Sequence, residues 1–155
     1  MTTKARAILE HLHATLAAVD GVVAVYGQDK PYQAPQQSKP EERPYVNLGM
    51  PVESESERAN LRVLKELRVP VELVVTYNAA DPAGSREAMQ DLLGLVEVAI
   101  QADHTRGGYA IDTNVVAASQ PSMVESAQTG RPACLTAEMT VVIDFGHLRT
   151  DPSAG

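Results

Sequence analysis

Few residues in this sequence have types and spacing that could do chemistry. His11 and His13 stand two residues apart in a helical pattern. A helix step of about 100° sets them roughly 200° apart around the axis, so they cannot share one metal ion. They read as surface histidines. Asp103-His104 closes a second helical pattern and has the composition of an acid–base pair. A histidine there also interacts favourably with the carbonyl end of the helix, a reading that needs no substrate. Cys134 is the only cysteine and has no nucleophile signature around it, so it reads as a packing or neutral surface residue. Gly107-Gly108 follows a helix instead of joining a strand to one, unlike a phosphate-binding loop. Gly-x-Ser-x-Gly, His-Glu-x-x-His and paired Cys-x-x-Cys are absent. Nothing in the sequence argues for an enzyme, and no catalytic, cofactor or metal residues are expected.

A basic cluster, Arg58, Arg62, Lys65 and Arg68, is interleaved with Glu57 and Glu66. It is a poor phosphate track and suits a subunit contact, where Arg is enriched. The overall balance agrees. Thirteen basic against twenty acidic residues leave a net charge of −7, and sequence-independent binding to DNA or anionic membrane needs a basic footprint. The excess is uneven. Residues 1–52 carry five charges of each sign, while residues 53–155 carry eight basic and fifteen acidic ones. One cysteine precludes an intrachain disulfide and a thiolate zinc cluster. No apolar run approaches the ~20 residues of a bilayer-spanning helix, and the first residues do not read as a secretory signal. A soluble protein of a reducing cytoplasm is the expectation.

The 155 residues fit one domain, and 44% apolar content argues against intrinsic disorder. With only 4% aromatics, the core must come from Val, Leu, Ile, Ala and Met. Ile8, Leu9, Leu12, Leu16 and Val19 form one helical stripe, ended by Asp20-Gly21. A short strand follows at 22–26. Residues 27–44 hold four prolines, four glutamines and almost no aliphatic side chains, and read as a long mobile loop. Alternation predicts a strand over 45–52 with Val46, Leu48, Met50 and Val52 inward, a charged hairpin turn over 53–58, and a long strand through 61–77. A helix over 58–68 competes there, because Leu61, Leu64 and Leu67 also keep helical spacing. Pro70 suggests an edge strand or a bulge. A second helix over 86–102, capped by Asp81 or Ser85, buries Met89, Leu92, Leu93, Val96, Ala99 and Ile100. Strands over 109–120 and 133–145 flank a polar connection at 121–132, and 149–155 read as a frayed tail. The fold class is α+β: one mainly antiparallel or mixed sheet of about five strands, two helices on one face, order α-β-β-β-α-β-β, in a single domain over 1–148.

One further pattern carries a resemblance. The second helix runs through Ala102-Asp103-His104-Thr105-Arg106-Gly107-Gly108-Tyr109-Ala110 into a strand with Asp112-Thr113-Asn114-Val115-Val116, and the closing strand ends in Val142-Ile143-Asp144-Phe145. With the element order over 1–148, this resembles the tail terminator (minor tail, tail-completion) proteins of long-tailed double-stranded DNA phages and prophages. The resemblance implies a non-enzymatic virion protein at the head–tail junction, made in the bacterial host cytoplasm. Its implied partners are itself in a hexameric ring, the tail tube protein and the head-completion or connector protein, with DNA passing through unheld. A head–tail connector or neck protein is the neighbouring reading. A cellular small-ligand-binding α+β domain is the alternative of a different class. The candidate assembly contacts are Tyr32, Tyr45, Glu53, Glu55, Arg58 and Arg62, from the 27–44 loop and the charged hairpin.

Overall fold

The computed structural model describes residues 3–59 and 62–148. Along the chain lie α1 (Thr3–Ala17), β1 (Ala24–Tyr26), two single 3-10 turns (Pro35–Gln37 and Pro40–Glu42), β2 (Tyr45–Leu48), β3 (Val52–Ala59), β4 (Arg62–Thr76), α2 (Pro82–Ala102), β5 (Asp112–Ala118), β6 (Ser122–Glu125) and β7 (Pro132–Leu148). The fold is α+β with two helices and a mixed seven-stranded sheet, so the expectation of about five strands is two short. The backbone of the sheet is the order β1-β2-β4-β7-β5, with β3 added beside β4 and β6 beside β7. Among the described residues only β1 and β2 run parallel; every other pair is antiparallel.

Both missed strands sit where polar composition hid them. Residues 53–58, expected as a charged turn, belong to β3, which pairs with β4 from Val52↔Arg68 to Ala59↔Arg62. Its Glu-Ser-Glu-Ser-Glu run has no apolar phase, so it is placed by its ladder to β4, not by burial. The polar connection at 121–132 contains β6, with Met123 half exposed at 52%. The competitor helix over 58–68 is excluded for the described residues, because Arg62–Thr76 is one continuous strand.

β4 is flanked by β7 along its whole length and by β2 then β3 on its other side. Two short strands in succession thus face this long one. Their junction lies at Pro70. Proline has no N–H to give, and its carbonyl accepts from Gly49 N at 2.7 Å across the break. The β4–β7 ladder runs through Pro70↔Thr140 without a register shift, so β4 is not an edge strand; the irregularity lies on the other side, where three residues, 49–51, face Val69 and Pro70. Gly49 is required there, because a Cβ would lie 2.9 Å from Pro70 Cβ. The break also turns Met50 and Val52 outward, to 82% and 59% exposure, against the expected inward phase.

One face of the sheet carries the core. Ile8, Leu9, Leu12 and Leu16 of α1, and Met89, Leu92, Val96 and Ile100 of α2, join Leu67, Val69, Val71, Leu73 and Val75 of β4. Leu135, Ala137, Met139, Val141, Ile143 and Phe145 of β7 complete the cluster, as their alternation predicts. α2 starts at Pro82, four residues before the expected 86, with Asp81 Oδ1 accepting from Gly84 N at 3.0 Å.

Candidate functional site

The second face of the sheet carries the opposite phase of the same strands, and the chain treats its two halves differently. One half is covered. Tyr45, Val74 and Cys134 form a small buried cluster with Tyr26 and Val124 against it. The covering segment is 27–44. Pro35 and Arg43 are buried, and the Arg43 guanidinium donates to Ser38 Oγ (3.0 Å), Ser38 O (2.6 Å) and Ala133 O (3.0 Å). Asn47, buried in β2, accepts from Gln33 N (3.1 Å) and donates to Gln33 O (2.9 Å) and Glu72 Oε1 (2.8 Å). The Cys134 thiol donates to Pro35 O at 3.5 Å, and burial, chiefly, pushes its pKa up. The segment expected as a loose loop is thus hydrogen-bonded to the sheet at both of its ends.

The other half is open and acidic. Glu66 of β4 and Asp112 of β5 are the cross-strand partners of Asp144 on β7, which sets three carboxylates in one row. Glu72 and Glu138 are paired in a second row. Like charges directly opposite each other destabilise a sheet. Burial first, then Glu66 and Asp112, raise the Asp144 pKa. The folded-state pKa therefore lies above the unfolded one, so ionisation penalises the native state as pH rises through it. Asp144→Asn is expected to stabilise the protein by up to about 1 kcal/mol at pH 7. That gain should vanish near pH 3, where the carboxyl is protonated in both states; urea midpoints at the two pH values check it.

The candidate contact residues divide on this surface. Tyr32 is 56% exposed and donates to Glu72 Oε1 at 3.1 Å; partial burial, then Glu72, pushes its hydroxyl up to about 12. Tyr45 is fully buried, donates to Gln33 O at 2.9 Å and stacks edge-on against Tyr26 with centroids 5.3 Å apart. It supports the covering segment and presents no surface to a partner, which corrects its place among the contacts. Glu53 is tied to Lys65 Nζ at 3.2 Å, which explains a lysine in the apolar phase of β4. Glu55 is exposed and is the register partner of Lys65. Arg58 is the next-to-last residue of β3 and Arg62 the first of β4, and their side chains lie outside the described residues.

The turn after α2 separates Asp103 from His104, the candidate acid–base pair. Asp103 accepts from Gly107 N (2.9 Å), Thr105 Oγ1 (2.8 Å) and Thr105 N (3.2 Å), and faces His11 Nε2 at 3.3 Å. His104 instead lies 3.6 Å from Asp112. His13 stands 3.9 Å from Asp29. The Gly107 amide, then the Thr105 hydroxyl, lower the Asp103 pKa. A depressed carboxyl pKa contributes stability above the unfolded value of 3.8, lost as pH falls through the folded pKa. Asp103→Asn should therefore be less stable than the parent at pH 7, and the two should converge below pH 4 in denaturant titrations. Gly107, at φ +71°, has its Cα against the His11 ring, where a Cβ would come within 3.0 Å.

Two residues that organise these regions were not singled out by sequence reasoning. Arg43 pins the covering segment. Arg106 is completely buried at φ +49°, and its guanidinium caps α2 by donating to Ile100 O and Asp103 O. A basic residue just past a helix end and before Gly-Gly was the available signal for Arg106; Arg43 had none. Among the described residues, no group of three or more His, Cys, Asp or Glu is arranged to hold a metal ion, and no helix is long and apolar enough to cross a membrane. No protein-family model and no curated protein matches the chain.

Proposed function

We propose that this chain is a structural virion protein that closes into a ring on the end of a phage tail tube, ending tube polymerisation and offering the surface for head joining. One observation carries the reading beyond the sequence resemblance: the sheet has two unlike free edges. Over residues 62–68 the local order is β3-β4-β7-β5, and neither β3 nor β5 pairs with a further strand among the described residues. A head-to-tail ring needs two different complementary surfaces on one protomer, repeated until the rotation closes. Free strand edges are suited to such contacts, since unpaired N–H and C=O groups seek a partner. β4 and β7, at 15 and 17 residues, extend about 50 and 56 Å. α2, at 21 residues, covers only about 31 Å. The rows Glu66-Asp144-Asp112 and Glu72-Glu138 support a bore that repels phosphates and lets DNA pass.

Light scattering at several concentrations, followed by negative-stain imaging with and without purified tail tubes, tests this. Closed rings, alone or on tube ends, are expected. Val116→Asp, a charge at an exposed position of β5, should abolish them while leaving the protomer folded. A protein that stays monomeric and leaves tube ends bare would overturn the proposal.

A further inference from the structure

A cavity of about 300 Å³ opens where the start of α2 meets the β5–β6 connection, lined by Tyr77, Arg86, Gln90, Gln120, Pro121, Met123 and Leu135. Its size is at the low end for small-molecule pockets, ~300–1,000 Å³. Its composition departs from that of the chain. Twenty acidic against thirteen basic residues leave the protein at −7, yet among the described residues no Asp or Glu lines this cavity. Arg86 brings a fixed planar fork of donors, Gln90 and Gln120 bring neutral amides, and Tyr77 brings a hydroxyl. Among the described residues, none of these four side chains has a hydrogen-bond or ion-pair partner in the protein. Buried Leu135, with Pro121 and Met123, supplies an apolar wall. Arg86 also sits in the first turns of α2, whose amide end favours negative charge.

We propose that this cavity binds a small ligand with one carboxylate and a short apolar body. The guanidinium takes the carboxylate as a two-point pair, the amides and hydroxyl complete its hydrogen bonds, and the hydrocarbon packs on Leu135 and Met123. A single cation, in a protein of strong negative charge, matches a single negative charge. A phosphate dianion would need a second cation that the lining does not hold. The site does not depend on ring formation.

Isothermal titration of the whole chain with cyclohexanecarboxylate tests the proposal, with cyclohexylmethanol and inorganic phosphate as controls. Saturable binding of one carboxylate per chain is expected, with the alcohol and phosphate each at least about tenfold weaker, the scale of one charge-assisted pair. Arg86→Gln should weaken the carboxylate by about tenfold or more, and Gln90→Glu, which places a negative charge beside Arg86, by a similar factor. Both positions are exposed, so both variants should keep the parent's circular dichroism and melting temperature. No saturable heat, phosphate binding as tight as the carboxylate, or an unchanged affinity in Arg86→Gln would each refute it.

Discussion

Arg106→Ala is expected to lose about 3 kcal/mol of stability, a fall in melting temperature of roughly 6–12 °C for a chain of this size. The reasons are local. Arg106 is fully buried, and its guanidinium satisfies carbonyls of Ile100 and Asp103 that the end of α2 leaves without intrahelical partners. Alanine removes the donors, orphans the buried Ile100 carbonyl and leaves a void under the turn, while the Asp103 carbonyl keeps the residue-106 amide at 3.2 Å. Desolvation lowers the Arg106 pKa, against which only Asp103 acts, so the buried charge is itself a cost that the hydrogen bonds must exceed. A second variant separates side chain from backbone. At φ +49° any residue but glycine is disfavoured by about 1 kcal/mol. Arg106→Gly should therefore recover about 1 kcal/mol relative to Arg106→Ala. If both variants melt with the parent, the guanidinium is not holding the end of α2.

Deleting residues 29–43 should cost more, on the order of 5 kcal/mol, and should break the attachment of β1. β1 and β2 are parallel, and a parallel pair needs a connection of a dozen or more residues to carry the chain back to the starting end. Residues 27–44 are that connection. Removing most of them prevents Ala24–Tyr26 from pairing with Tyr45–Asn47, uncovers Tyr45, Val74 and Cys134, and takes Gln33 away from Asn47 and Tyr32 away from Glu72. Cys134 reports the outcome directly. In the intact protein it should resist a thiol reagent under native conditions, since it is buried with a raised pKa. In the deletion it should react at rates approaching an exposed thiol. A deletion variant that melts like the parent and keeps Cys134 protected would show that the crossover is dispensable.

That second result marks how far the sequence could be read. The 27–44 segment was legible as lacking a core element, because prolines and glutamines cannot build one. Its task was not legible, because it follows from β1 and β2 being parallel, and strand direction leaves no trace in composition. The same limit explains Tyr45 and Asn47. Their alternation with Val46 and Leu48 suggested an outward, solvated phase, but all four are buried, the first two under the covering segment. For the candidate contacts, residue type drew Tyr32 and Tyr45 together; the structure puts one at the surface and the other beneath it.

What the sequence determined by itself is whatever depends on short-range periodicity. The two helical stripes, the clean alternation from Leu135 to Phe145 and the α+β class follow from which side chains recur every 3.6 or every 2 residues, and burial enforces them. What only the tertiary structure decided is whatever depends on a partner far along the chain. β3 exists because β4 offers it a ladder, not because its own glutamates and serines bury a face. Pro70 is tolerated because the facing strands part at Gly49. Asp103 turns from His104 to His11, ninety-two residues away, because the end of α2 comes down on α1. The acidic rows arise because register sets Glu66 and Asp112 beside Asp144. Backbone pairing and charge act on whatever lies adjacent in space, and for these residues adjacency is created only when the sheet assembles.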